Sequence, residues 1–117
     1  MEGISYLLLL FIAMPIKYIL KRCEFMGMEF NVEPGVLIPR PDTEVLVEKA
    51  IEKIKENKYV NICDVCCGSG AIGLSIAAFV DKCTVKLLDI SDTAIKVSKE
   101  NTLKFDLSYR AEVQYSD

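Results

Sequence analysis

The sequence YVNICDVCCGSGAIG, residues 59–73, is the stretch that decides the fold. Its first half is a short apolar run rich in β-branched residues, and its second half places Gly68, Gly70 and Gly73 ahead of a helix-like run. This order predicts a strand, a tight loop and a helix. Glycine allows a positive φ and lets a ligand approach the main chain closely, and the following helix offers unpaired N–H groups and the positive end of its dipole. Residues 66–70 are therefore the candidate ligand-binding loop.

Two carboxylates are spaced as a nucleotide site requires. Asp64 ends the predicted strand just before the loop, and Asp89 ends the next apolar run, VKLLD, about 20 residues further on. An acid at the end of the neighbouring strand can accept hydrogen bonds from ribose hydroxyls. The alternative is a glycine-rich turn that packs a strand against a helix and binds nothing, with Asp89 as a solvated acid. The spacing of Asp89 from the glycines favours the nucleotide site.

The position of Asp64 bears on which nucleotide the loop would bind. In a dinucleotide-binding fold, the pyrophosphate lies at the N-terminus of the helix that follows the loop. A carboxylate at this place would repel a pyrophosphate, whereas it would attract the ammonium and sulfonium groups of S-adenosylmethionine. We therefore expect S-adenosylmethionine as the cofactor and rank an NAD-linked oxidoreductase below it.

The composition indicates one modest domain. The chain has 117 residues, 51% of them hydrophobic, and a net charge of −3, so it can bury a core and has no overall basic field for nucleic acid. Its five cysteines are odd in number and no cleavable signal is evident, which predicts reduced thiols in a cytoplasmic protein. Because there is no histidine and no second Cys-x-x-Cys motif, we expect no metal site.

The N-terminal residues 4–14, ISYLLLLFIAM, are almost wholly apolar. This run is shorter than the ~20 residues that span a bilayer, and it lacks the basic start and the cleavage site of a secretory signal. We expect a helix that packs against protein. A membrane anchor is the alternative, because the run approaches a membrane span if it continues through Leu20.

Residues 23–39 contain two short extended segments on either side of Pro34 and Gly35. This pattern predicts a β-hairpin that turns at the Pro-Gly pair. A proline-punctuated segment then leads into a helix that Asp42 or Thr43 can cap. The predicted apolar face of this helix consists of Val45, Leu46, Val47, Ala50, Ile51 and Ile54.

Helix-like and strand-like segments alternate after the glycine loop. They predict a buried helix, a strand, a helix capped by Ser91 and a third strand, over residues 71–80, 84–89, 92–105 and 111–115. The third of these segments is expected to turn Ala94, Ile95 and Leu103 inward. Such alternation predicts a parallel sheet with right-handed crossovers.

Four motifs together resemble the HemK-type protein-(glutamine-N5) methyltransferases. They are EFMG at 24–27, VLIPRPDTE at 36–44, DVCCGSGAIG at 64–73 and LDIS at 88–91. The glycine loop alone is typical of any class I methyltransferase, whereas the run at 36–44 is much more specific. The resemblance covers about residues 15–117 and implies an α/β fold: the first three parallel strands of a Rossmann-like class I methyltransferase sheet, preceded by a β-hairpin and the N-terminal apolar helix.

The resemblance also implies functional residues. The loop that wraps the methionine part of S-adenosylmethionine would consist of Cys66, Cys67, Gly68, Ser69 and Gly70, next to Asp64. Asp89 would hold the ribose, and Asp117 would lie near the adenine. The family methylates the glutamine of the GGQ motif in peptide-chain release factors, so a release factor is the implied partner. Cys66 stands where the family often has glycine, which would tighten the approach to the cofactor.

The family's Asn-Pro-Pro-Tyr motif is absent from this chain. In the family this motif holds the substrate amide and aims it at the methyl group, because an amide nitrogen is a poor nucleophile that depends on positioning. No catalytic residue is therefore assigned here. We interpret the chain as the front half of a methyltransferase that is inactive alone, with residues 1–22 as a remnant of the helical domain, 23–41 as hairpin and linker, and 42–117 as the partial cofactor domain.

Two alternatives and one structural consequence follow. An N6-adenine or ribosomal RNA methyltransferase shares the cofactor loop, although the run at 36–44 and the lack of a basic face count against it. A non-catalytic module that binds cofactor weakly or serves as an interaction surface is the other alternative. In class I methyltransferases the first strand is central, so in this chain it would become an apolar edge, and we expect self-association through it or marginal stability.

Overall fold

A computed structural model of the protein describes residues 21–117. The predicted N-terminal apolar helix lies outside the described residues. In chain order the elements are β1 (Arg22–Phe25), β2 (Met28–Asn31), α1 (Thr43–Asn57), β3 (Asn61–Val65), α2 (Ala71–Phe79), β4 (Thr84–Asp89), α3 (Asp92–Lys104) and β5 (Ala111–Tyr115). None of the helices described is long and apolar enough to cross a bilayer.

The hairpin is formed by β1 and β2, and its turn lies eight residues before the expected one. Met26 and Gly27 both have positive φ, 53° and 74°, which is the conformation of a two-residue type I′ turn. The prediction of a hairpin turn at Pro34 and Gly35 is wrong. Those residues do form a turn, in which Val36 N–H donates to Glu33 C=O at 3.1 Å, but no strand lies between this turn and α1.

The three remaining strands form a parallel sheet in the order β3-β4-β5, as predicted. Both crossovers step the same way along the sheet, so their right-handedness places α2 and α3 on one face. Val85 and Leu87 of β4 point to that face and are buried, whereas Thr84 and Lys86 are exposed on the opposite face. That opposite face, and the outer edge of β3, have no covering element among residues 21–117.

The helices present narrower apolar stripes than the sequence indicated. In α1, Val47 and Ile54 are buried, seven residues apart, but Val45 and Leu46 are 56% and 61% exposed. Their predicted place in the apolar face was wrong, because the side of α1 that packs against the core contains Val47, Ala50, Ile51 and Ile54. Asp42 occupies the N-cap position of α1, yet its side chain makes no capping hydrogen bond.

Helix α3 confirms its predicted cap and corrects one predicted core residue. Ser91 Oγ accepts a hydrogen bond from Ala94 N–H at 3.3 Å. Leu103, however, is 73% exposed, because the buried stripe of the helix runs through Ala94, Val97, Ser98 and Asn101. Two residues beyond Asn101, a side chain points to nearly the opposite side of the helix.

Three phenylalanines attach the hairpin to the rest of the domain. Phe30 is fully buried, and its ring lies edge-on to Phe25 at 6.3 Å and to Phe105 at 4.8 Å between centroids. Edge-to-face packing of this kind stabilises aromatic clusters beyond their buried area. The hairpin therefore belongs to the same hydrophobic core as the sheet.

Candidate functional site

The glycine loop connects the carboxyl end of β3 to α2 through a left-handed backbone. Cys66, Gly68 and Gly70 have φ values of 60°, 57° and 85°. Cys67 N–H donates to Leu88 C=O at 2.9 Å, and Gly70 N–H donates to Cys67 C=O at 2.8 Å. Positive φ is costly for a residue with a Cβ, which explains why glycine suits position 66, and the Cys66 side chain is exposed beside the loop.

Gly70 and Gly73 let the loop and α2 lie directly on the sheet. A Cβ built on Gly70 would meet Leu74 Cδ1 at 2.9 Å and Leu87 Cδ2 at 3.2 Å. One built on Gly73 would meet Asp64 Oδ2 at 3.0 Å. The glycine pattern therefore has a packing role in addition to any role in ligand binding.

Asp64 contacts the first turn of α2 from the end of β3. Its Oδ2 accepts a hydrogen bond from Gly73 N–H at 3.0 Å. Burial raises the pKa of this carboxyl, the hydrogen bond from Gly73 lowers it, and the negative charge of Asp89 raises it further, with a net upward shift. The protein therefore compensates a negative charge on Asp64 only incompletely.

Replacement of Asp64 by asparagine is expected to raise the thermal stability at pH 7. The raised pKa means that the folded chain binds the proton on Asp64 more tightly than the unfolded chain does. The contribution of Asp64 to the free energy of unfolding therefore falls as the pH rises from about 4 through the pKa of the folded state. Asparagine keeps an oxygen for Gly73 N–H and removes the charge. The melting temperature of the variant, measured between pH 4 and 7, should exceed that of the wild type by an amount that shrinks toward pH 4. An equal gain at both pH values, or a gain equal to that of the exposed control Asp81→Asn, would contradict this prediction.

Asp89 lies opposite the loop at the carboxyl end of β4. Its Oδ2 accepts from Gly68 N–H at 3.0 Å and its Oδ1 accepts from Ser91 N–H at 2.9 Å. Each carboxylate oxygen has two lone-pair directions, so both retain one acceptor position. Asp89 thereby fixes the loop and keeps capacity to bind hydroxyl groups.

Asp117 follows β5 at the same end of the sheet, where the carboxyl ends of the three strands lie. The adjacent Ser116 N–H donates to Asp89 C=O at 3.0 Å, so the end of β5 lies beside Asp89. The Asp117 side chain is exposed, and its Oδ1 accepts from Tyr115 Oη at 2.8 Å. The structure thus places the three predicted acids at one edge of the sheet, with Asp64 and Asp89 in direct contact with the loop and its helix.

Two of the predicted loop residues turn their side chains away from the ligand side. Cys67 and Ser69 are 8% and 2% exposed. Burial raises the pKa of the Cys67 thiol to about 11, against the lowering effect of its contact with Ser98. The side chains of these two residues are therefore not presented to a ligand, whereas Cys66 is exposed.

Two residues of α3 that the sequence analysis did not identify bind the backbone of the loop. Ser98 Oγ donates to Gly68 C=O at 2.6 Å, and Asn101 Nδ2 donates to Ser69 C=O at 2.8 Å. Both side chains are fully buried on α3. The sequence contained a sign of this role, because Ser98 and Asn101 are polar residues three positions apart on the side of α3 that also contains the apolar Ala94 and Val97.

Known proteins resemble this chain in sequence. The release factor glutamine methyltransferase of Clostridium acetobutylicum is 55% identical over 104 residues, which make up 89% of this chain and 36% of that protein. The protein of the same name from Borreliella burgdorferi is 48% identical over 103 residues, 88% of this chain and 36% of its own length. The chain thus spans little more than a third of the length of these relatives. They confirm the resemblance to the HemK-type methyltransferases that the motifs indicated.

Solved structures resemble the fold at low sequence identity. The N-terminal domain of human METTL16 in complex with SAH matches with a TM-score of 0.59 and 19% identity, over 77% of this chain and 37% of that one. The [4+2]-cyclase SpnF matches with a TM-score of 0.54 and 22% identity, over 62% and 27%. Because a methyltransferase-type fold also supports a cyclase, these similarities concern the fold alone.

A family model described as "Methyltransferase small domain" matches residues 40–117. This region contains α1, the parallel sheet, the glycine loop and all three carboxylates described above. The chain therefore belongs to the methyltransferase small-domain family.

Proposed function

We propose that this chain binds S-adenosylmethionine and forms the cofactor-binding part of a methyltransferase that acts on peptide-chain release factors. One observation carries the proposal: Asp89, at the end of β4, accepts the Gly68 N–H of the glycine loop and still has free acceptor positions. The loop and a hydroxyl-binding carboxylate are therefore held together before any ligand binds. The names of the relatives support the release factor as substrate.

The residues present fit this cofactor chemically. Asp64 supplies a negative charge beside the loop, and a cationic ammonium or sulfonium group would compensate the charge that burial disfavours. Asp89 supplies acceptors for ribose hydroxyls. When bound, the cofactor supplies an electrophilic methyl group on its sulfonium.

Methyl transfer also requires groups that position the substrate amide. The 117 residues contain no Asn-Pro-Pro-Tyr motif, which in the HemK-type family positions the substrate amide. The role of the described residues is thus to bind and orient the cofactor, and we expect no methyl transfer by this chain alone.

Calorimetric titration of the chain with S-adenosylhomocysteine tests the proposal. We expect binding of this ligand and none of NAD, and a loss of about ten- to hundredfold in affinity in Asp89→Asn, because a hydrogen bond to a charged group is worth about 1.5–3 kcal/mol. Asp92→Asn is the matched control, because Asp92 is an exposed acid three residues further on.

The outcomes separate a methyl-donor site from a dinucleotide site and from a module that binds neither ligand. Binding that Asp89→Asn weakens and Asp92→Asn leaves unchanged supports a methyl-donor site. Absence of binding to either ligand indicates a module without a working cofactor site, and preferential binding of NAD indicates a dinucleotide site. Either result overturns the proposal.

We also propose that the isolated chain self-associates through β3. Val65, at the end of this strand, is 68% exposed on the uncovered face, and Tyr59 and Val60 just before the strand are 55% and 53% exposed. An apolar edge strand offers unpaired backbone groups to another strand, and parallel sheets are normally covered on both faces. Sedimentation velocity should show a dimer or larger species that Val65→Lys shifts to monomer.

The control for this prediction is Leu103→Lys. Leu103 is as exposed as Val65 but lies on α3, which packs over β4 and β5 rather than over β3. A monomeric wild-type chain that melts cooperatively, or equal effects of the two lysine variants, would exclude association through β3.

A further inference from the structure

Asn101 joins two parts of the chain that are far apart in sequence. Its side chain is completely buried. Its Oδ1 accepts from Asn31 N–H at 2.7 Å, and its Nδ2 donates to Asn31 C=O at 3.0 Å and to Ser69 C=O at 2.8 Å. One amide thus binds both backbone groups of the last residue of β2, as a neighbouring strand would, and the glycine loop as well.

Ser98 extends this attachment one turn earlier on α3. Its Oγ donates to Gly68 C=O at 2.6 Å and lies 3.3 Å from Cys67 Sγ. Helix α3 therefore holds two successive carbonyl groups of the loop, those of Gly68 and Ser69. Buried polar side chains that are fully hydrogen-bonded in this way restrict a backbone to one conformation.

The fixed carbonyls determine where the loop donors point. In a trans peptide the C=O and the following N–H point in opposite directions. Because Gly68 C=O points toward α3, Ser69 N–H points away from it. In the loop as described, Gly68 N–H and Gly70 N–H have protein acceptors, whereas Ser69 N–H has none within residues 21–117.

We propose that Ser98 and Asn101 are positioning residues that aim the Ser69 N–H at the bound ligand, and that Asn101 couples the hairpin to this loop. The side chains act from behind the loop and do not touch the ligand themselves. A displacement of β2 would reach the loop through the Asn101 side chain, since its amide is bonded to both segments.

Amide hydrogen exchange of the full chain without ligand, followed by NMR, tests the coupling. In Ser98→Ala, we expect Gly68 and Gly70 amides to exchange about tenfold faster relative to core amides of β4, because the lost hydrogen bond is worth about that factor. In Asn101→Asp, which loses both donors, amides of the loop and of the hairpin, such as Val32 N–H, should both accelerate.

Thr102→Val is the matched control. Thr102 is 5% exposed on the same helix, and its Oγ1 donates to Ser98 C=O at 2.7 Å. Among residues 21–117, no hydrogen bond joins the Thr102 side chain to the loop. If Ser98→Ala and Asn101→Asp accelerate loop exchange only in proportion to the whole domain, as Thr102→Val does, the coupling is absent. If Asn101→Asp fails to fold, the exchange rates of the loop amides in Ser98→Ala test the attachment of the loop. The exchange rates of the hairpin amides in Asn101→Ser, which keeps one hydroxyl donor, then test the attachment of the hairpin.

Affinity for S-adenosylhomocysteine supplies the second readout. We expect an affinity about tenfold lower in Ser98→Ala and unchanged in Thr102→Val. This expectation rests on the proposed function, whereas the exchange result does not. Failure of the wild-type chain to bind would overturn the proposed function and leave the coupling to be decided by exchange. Equal affinities of the wild type and Ser98→Ala would overturn the positioning role.

Discussion

Replacement of Phe30 by alanine is expected to lower the free energy of unfolding by about 3–5 kcal/mol. Phe30 is fully buried and packs edge-on against Phe25 and Phe105, so its removal leaves a cavity and ends the aromatic contact between the hairpin and the core. A domain of this size has a total stability of about 5–15 kcal/mol. The variant should therefore lose a large part of the stability of the domain.

Urea unfolding followed by circular dichroism measures this loss, with Phe79→Ala as the control. Phe79 is 47% exposed at the end of α2, and its truncation should cost about 1 kcal/mol. Phe30→Leu, which keeps much of the apolar volume, should restore part of the stability. Equal midpoints for Phe30→Ala and Phe79→Ala would mean that the hairpin is not part of the folded core.

Replacement of Gly70 by alanine is expected to destabilise the chain by about 2–4 kcal/mol through two separate effects. Its φ of 85° is unfavourable for a residue with a Cβ, and that Cβ would lie 2.9 Å from Leu74 and 3.2 Å from Leu87. Both leucine side chains are completely buried. They can yield only by displacing the packing between α2 and β4, so the glycine loop should shift as well.

Gly35→Ala separates the two effects. Gly35 has a φ of 94°, and a Cβ built there meets nothing within 4 Å, so this variant should show the backbone cost alone, about 1–2 kcal/mol. Thermal unfolding of both variants gives the difference, which is the packing contribution. Similar losses of stability in both would show that the tight contacts of Gly70 relax without cost.

The motifs were sufficient for the main architecture because each depends on residues close in sequence. Alternating strand-like and helix-like runs predicted the parallel sheet, and Ser91 was identified as a cap because its acceptor role needs only Ala94, three residues on. The glycines at 68 and 70 marked the loop because positive φ is a local requirement. Asp64 and Asp89 were found because parallel strands end at one edge.

The errors came from properties that a local pattern does not contain. Pro34 and Gly35 form a turn, but the hairpin closes at Met26 and Gly27, where no strong turn residue other than glycine marks it. Leu103 has the composition of a core residue and is 73% exposed, because the elements packed against α3 select its buried side.

The sequence by itself determined the order of strands and helices, the loop, and the carboxylates at the ends of the strands, since those features follow from short-range backbone preferences and from the periodicity of apolar residues. Only the tertiary structure decided that Asn101 binds Asn31, 70 residues away, together with Ser69. A hydrogen bond over such a separation depends on how the hairpin packs against α3, and that packing is a property of the whole folded domain.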